Sequence, residues 1–114
     1  MTFTELGTRL NALRIGTTPL RFAHFAWSSA PAGDYGVYAE DGSDQFQASD
    51  RYAESVTTGS VDWFTRSDDG TAKDLIEGLF KELQDANCFA WYLNTIQYEN
   101  DTHFLHYECI VEVA

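Results

Sequence analysis

The hydrophobic period of the chain changes at Asn87, and that change constrains the fold more than any other feature. Before it, Ala72, Leu75, Ile76, Leu79, Leu83 and Ala86 recur every three or four residues, the spacing of one helical face. After it, from Phe89 to Val113, apolar and polar residues alternate, the spacing of strands with one buried face. Asn100-Asp101 interrupts the alternation with turn formers, so the segment reads as a hairpin of Phe89 to Glu99 and Thr102 to Val113. A two-residue turn there pairs Tyr98 with His103, Ile96 with Leu105 and Tyr92 with Cys109. It puts Leu105, Tyr107, Cys109, Val111 and Val113 on one face, and His106, Glu108 and Glu112 on the other. A one-sided helix followed by a one-sided hairpin requires a helix packed on a sheet.

The first half supplies further elements. Thr2-Phe3-Thr4-Glu5 has capping-box spacing, and Phe3, Leu6, Leu10 and Leu13 form one stripe. The expected helix runs from Thr2 to Ile15, with Gly16 placed to end it and Pro19 unable to extend it. Leu20 to Trp27 and Tyr35 to Glu40 read as strands, and Tyr52 to Thr65 as a longer one that Gly59 bulges or kinks. Thr71 or Asp69 caps the second helix, Lys73 and Glu77 pair at i, i+4, and Asn87 suits its C-terminal end. The expected order is α-β-β-β-α-β-β: one α+β domain over residues 1–114, with a mainly antiparallel sheet and helices on one face.

Composition bounds the setting. At 114 residues and 15% aromatics the chain has the length and the apolar bulk for one core. Its 18 Asp and Glu against 7 Lys and Arg argue against sequence-independent nucleic-acid binding, which needs cations to neutralise phosphates. The same balance disfavours attachment to anionic lipid. No stretch approaches the roughly 20 apolar residues of a membrane span. Met1 to Ile15 lacks the features of a signal peptide, and two cysteines do not make a disulfide framework. The expectation is a protein made in the cytosol, with Cys88 and Cys109 reduced and unpaired.

Catalytic and metal motifs are sparse. His103 and His106, three apart, point to opposite faces of a strand, and Cys88 and Cys109 lack zinc-knuckle spacing. Asp41-Gly42-Ser43-Asp44 has no EF-hand register, which leaves a solvated loop or a calcium site of another geometry. There is no Gly-x-Ser-x-Gly elbow, dinucleotide fingerprint or P-loop, and Glu40–Asp41 and Asp68–Asp69 are adjacent pairs in loops. These patterns predict no enzyme, no cofactor and no metal. The charge is polarised: Arg9, Arg14 and Arg21 against Glu5 make residues 1–30 +2, leaving −13 of the total −11 for the rest. Two readings stand, plain solubility, or copies meeting head to tail and lining an acidic surface.

The middle of the chain adds a resemblance. Pro19-Leu20, His24-Phe25 and Tyr38, then the segment from Glu40 through Asp41-Gly42-Ser43-Asp44-Gln45-Phe46 to Ser49-Asp50 and Tyr52, resemble the tail-completion or tail-terminator proteins of long-tailed bacteriophages. The resemblance extends through Val61 to Thr65, the acidic helix and the closing hairpin, over about Pro19 to Val113; Ser49-Asp50 stands where the family usually reads Ala-Asp. It implies a structural protein without an active site. Its copies assemble as a ring, typically a hexamer, that caps the tail tube, ends polymerisation and joins the tail to the head. The implied partners are further copies, the tail-tube protein and the head connector or neck proteins, with DNA passing through unbound and no membrane involved. The implied place is the virion neck or tail, assembled in the host cytoplasm. Glu40, Asp41, Asp44 and Asp50 around Phe46 are the candidate interface residues, Phe46 serving either as an apolar anchor or as part of its own core. The alternatives are a head-completion, connector or tail-tube protein of the same virion, an acidic DNA-mimic inhibitor, or a small ligand-binding α+β domain.

Overall fold

The computed structural model describes residues 1–42 and 56–114. Its elements are α1 (Phe3–Asn11), β1 (Arg14–Ile15), β2 (Thr18–Pro19), β3 (Phe22–His24), β4 (Tyr35–Glu40), β5 (Thr57–Thr65), α2 (Thr71–Asp85), β6 (Phe89–Glu99) and β7 (Phe104–Val113). Strands β3 to β7 form one sheet in the order β3-β4-β5-β7-β6. Only the β3–β4 pair is parallel; the other three pairings are antiparallel. Both helices cover the same sheet face, since Leu6 and Leu10 of α1 and Ile76, Leu79 and Phe80 of α2 share one core with Val61, Trp63 and Val111. The fold is α+β with helices on a mainly antiparallel sheet, as the sequence predicts.

The Thr2 hydroxyl accepts the Glu5 N–H at 3.1 Å, the expected cap of α1. The helix is shorter than expected and stops at Asn11, whose side chain bonds both to the Gly7 carbonyl in its own helix and to the backbone of Phe22. Its Oδ1 accepts the Phe22 N–H at 2.8 Å and its Nδ2 donates to the Phe22 carbonyl at 3.2 Å. The next residues form the β1–β2 hairpin, and Gly16, at φ 62°, makes that turn instead of ending the helix. Two strands are thereby added to the expected order. The strand expected over Leu20 to Trp27 also shortens to Phe22–His24, because Phe25 turns the chain at φ 69°.

Gly59 makes neither bulge nor kink: it holds regular register between Glu40 and Val111. Its role is close approach, since a Cβ there would collide with the Ala39 carbonyl and the Phe3 ring. The part of the expected Tyr52 to Thr65 strand before residue 56 lies outside the described residues.

The N-cap of α2 is Gly70, in place of Thr71 or Asp69. Asp69 supplies the acceptor from one residue earlier, its Oδ1 taking the Thr71 N–H at 3.0 Å. That bond holds the Asp69 carboxyl below its ordinary pKa. Asn87 ends the helix at φ 60°, and Lys73 pairs with Glu77 at 2.7 Å. The buried stripe contains Phe80, absent from the sequence-derived stripe, while Ala86 is exposed. Phe80 packs on Phe89 and Trp91, with ring centroids 4.9 and 5.4 Å away.

The closing hairpin turns through four residues, 100–103, with His103 at φ 62°. Tyr98 therefore faces Leu105 and Ile96 faces Tyr107, two residues from the expected register. A bulge between Leu93 and Thr95 shifts it again, so Leu93, not Tyr92, faces Cys109. Cys109, Val111 and Val113 are buried on the helix side, with Tyr107 packed against them. On the far face Glu112 is buried as well.

Both cysteines are free thiols. Burial pushes the Cys109 thiol up to about 12, while Cys88 is half-buried. An aromatic disulfide reagent at about pH 8 is expected to modify Cys88 first and Cys109 only on unfolding, as read by thiol release with and without denaturant.

Candidate assembly surface

Of the expected interface set, the described members are Glu40, which ends strand β4, and Asp41, which follows it. Asp44, Phe46 and Asp50 lie outside the described residues. Glu40 accepts a hydrogen bond from His24 Nε2 at 2.6 Å, and the Asp41 N–H bonds to the Thr58 carbonyl at 3.1 Å. His24 is sandwiched between Tyr38 and Phe25, with centroids 4.8 and 4.3 Å away and planes within 4° and 17° of parallel. Burial, then the Glu40 charge, raises the Tyr38 phenol.

Phe25 is the most exposed large apolar residue described, at 59%. Its N–H bonds to the Tyr38 carbonyl at 2.9 Å, and Ala26 N–H bonds to the His24 carbonyl at 2.9 Å, closing a three-residue turn around it. A left-handed conformation is costly for a side chain of this size, and such strain clusters at functional positions. The turn holds a largely exposed aromatic ring against the His24 imidazole, which itself engages Glu40. Sequence reasoning placed Phe25 inside a strand, and nothing local marks it as a turn.

The sheet face away from the helices carries a second aromatic group. Phe64 stacks on Tyr35 and on His106, at 4.8 and 4.2 Å, and Phe104 meets both Tyr35 and Phe64 edge-on. Arg66 lies 4.1 Å above the Phe104 ring and donates to the carbonyls of Ala32 and Thr102, tying the loop before β4 to the β6–β7 turn. His106 donates to Asp62 at 2.7 Å, and its other ring nitrogen is 3.5 Å from Glu99. The hydrogen bond to Asp62 raises the His106 pKa above 6.5; burial opposes it, and the charges of Asp62, Glu99 and Glu108 add to it.

A raised folded-state pKa means that the charged imidazolium contributes its full stabilisation below the unfolded value and loses it as pH rises through the folded value. The stability lost on His106→Gln is therefore expected to be larger at about pH 5.5 than at about pH 8.5. Urea melts of both proteins at the two pH values check this; an equal loss at both would remove the ion pair from the account.

One cleft of about 220 Å³ opens beside the N-terminus of α2, lined among others by Asp34, Trp63, Thr65, Asp69 and Tyr107. Its acids are already engaged: Asp34 accepts from the Thr65 hydroxyl at 2.7 Å, and Asp69 caps the helix. Lys73, also on the wall, is tied to Glu77. Trp63 Nε1 is the one buried side-chain polar atom without a partner among the described residues. Among those residues no group of three His, Cys, Asp or Glu is placed to hold a metal ion, and no helix is long and apolar enough to cross a membrane. Exposed apolar side chains stand just after β3, at Phe25, and on β6, where Ile96 and Tyr98 are 50% and 54% exposed.

Comparison with protein-family models, with curated proteins and with solved structures finds no match.

Proposed function

We propose that this chain is the subunit of a ring that caps the tail tube of a long-tailed bacteriophage, ends its polymerisation and joins it to the head. The observation that carries the reading is the segment from Glu40 to Asp50 with its flanking Tyr38 and Tyr52, through which the sequence resembles the tail-terminator family. The edge strand β6, 11 residues long with Tyr92, Ile96 and Tyr98 exposed along it, supports it, because an open edge is a ready template for a further chain. The net charge of −11 suits a subunit around a DNA channel, since like charges keep phosphates from adhering. In this role Glu40, Asp41, Asp44, Phe46 and Asp50 contact a neighbouring subunit or the tail-tube protein, and no catalytic group or cofactor takes part. Its place is the virion neck, reached by assembly in the host cytoplasm.

The test is complementation. Purified protein is added separately to headless tails and to tailless heads, and joining is scored by electron microscopy and infectivity. The expected result is that treated tails stop at one length and acquire heads. Completion of heads alone would move the protein to the head side of the neck, and activity on neither would remove the phage role.

A further inference from the structure

Strand β6 is an edge of the sheet, and its two halves differ. It runs 11 residues without a proline, lysine or arginine, the residues that usually guard an edge. The bulge between Leu93 and Thr95 puts the halves out of phase. Before it, Phe89, Trp91 and Leu93 face the helices; after it Ile96 and Tyr98 do, opposite Tyr107 and Leu105. A regular strand laid along the edge cannot match both halves, so a contact is confined to one of them.

The half before the bulge is already covered. Phe80 of α2 packs on Phe89 and Trp91, and Trp91 Nε1 donates to Gln84 at 3.2 Å. The half after it is not, since Ile96 and Tyr98 are exposed although they lie on the helix side. Their backbone is open as well. The hairpin closes on the Glu99–Phe104 pair, so alternation along the ladder turns the N–H and carbonyl of Tyr98 and Ile96 away from β7. No loop or side chain takes these groups among the described residues. Thr95, Gln97 and Glu99 alternate with them on the far face, and all three are polar. The Tyr98 hydroxyl is tied to His103 Nδ1 at 2.8 Å, which holds the ring beside the turn.

Residues 95–99 are their own complement. Two antiparallel copies related by a two-fold axis through Gln97 place Ile96 of each opposite Tyr98 of the other. Those are the residues with outward backbone groups, so each such pair exchanges both of its N–H···O bonds while its side chains pack on the helix side. On the far face Thr95 meets Glu99 of the other copy, hydroxyl to carboxylate, and Gln97 meets Gln97, amide to amide. Moving the axis to Ile96 would pair Tyr98 with Asn94 in the bulge, and moving it to Tyr98 would pair Ile96 with Asn100 in the turn.

We infer that two copies of this chain pair through residues 95–99 of β6, antiparallel and two-fold, so that one sheet runs across both molecules. Backbone bonds and apolar contact hold the pair against the repulsion of two chains of net charge −11. Glu99, inside the contact, has His106 at 3.5 Å. The inference does not rest on the function proposed above. A two-fold contact closes on itself, so a ring assembled from such pairs closes through a further surface.

Cysteine pairing tests the register. In a Cys88→Ser background, Gln97→Cys is expected to form a disulfide-linked dimer on mild oxidation, because facing residues of a non-hydrogen-bonded pair lie within disulfide reach. Thr95→Cys and Glu99→Cys are each expected to stay largely unlinked alone and to give the linked heterodimer when mixed. Sedimentation velocity of the wild type, from micromolar to near-millimolar concentration, is expected to show a monomer–dimer equilibrium. Raising the salt from about 0.05 to 0.5 M should tighten it several-fold by screening the repulsion. Ile96→Glu should weaken it at least about tenfold, since it sets a carboxylate against Tyr98 of an acidic partner. Circular dichroism verifies folding, and the cysteine series carries the test where Ile96→Glu does not fold.

Wild type that is monomeric at every concentration, no cross-link through Gln97→Cys, or Thr95→Cys alone linking as well as Gln97→Cys would each overturn the inference. So would a dimer that a folded Ile96→Glu leaves intact, which would move the contact to another surface. A dimer that salt dissolves would also overturn it, by marking a charge-paired contact.

Discussion

Replacing Phe80 by alanine is expected to cost about 3–5 kcal/mol, the largest loss from any single truncation in this chain. Phe80 has no exposed surface and packs against Phe89 and Trp91, so it fastens α2 to the start of the edge strand β6. Removing the ring discards its burial and leaves a cavity that the sheet cannot close without moving β6. A domain of this size is typically stable by only about 5–15 kcal/mol, so the variant should melt many degrees lower or be largely unfolded at 37 °C. Urea melts followed by tryptophan fluorescence measure the loss. A cost below about 1 kcal/mol would mean that α2 does not hold β6 as described.

Gly59→Ala is the second, and here the damage comes from one added carbon. The new Cβ would meet the carbonyl of Ala39 on one side and the Phe3 ring on the other. A backbone carbonyl in a paired strand cannot swing aside as a long side chain can, so either the β4–β5 ladder opens or α1 lifts. The expected cost is about 2–4 kcal/mol, at the upper end of overpacking penalties. It falls on the end of β4 that carries Tyr38 and Glu40, so this variant should also disturb the His24–Tyr38 stack. Chemical shifts of the His24 ring report that disturbance. Melting unchanged from wild type would contradict the close approach.

Much of the fold was legible because helix and strand leave their period in neighbouring residues. The Thr2 cap, the Leu6–Leu10 stripe, Ile76–Leu79–Leu83 and the Cys109–Val111–Val113 alternation each depend on residues within a few positions of one another. The missed features depend on partners far along the chain. Asn11 closes its helix with a side chain that bonds the backbone of Phe22 as well as the Gly7 carbonyl, a tie that propensity does not contain. Phe80 is the exception, since it stands four after Ile76 and three before Leu83 and its burial was legible in the helical period; only its partners Phe89 and Trp91 come from far along the chain.

The same division holds for the candidate surface. Local pattern and composition were enough to establish an acidic α+β domain with a polarised charge and a one-sided closing hairpin. Which strands become edges, and that Phe25 and Ile96 stand on opposite ones, followed only from the pairing order β3-β4-β5-β7-β6. Pairing order and register are settled by competition among distant strands for one another's hydrogen bonds and for the face under the helices. A four-residue turn in place of two, and a bulge before Thr95, change neither composition nor period, yet they decide which side chain faces which.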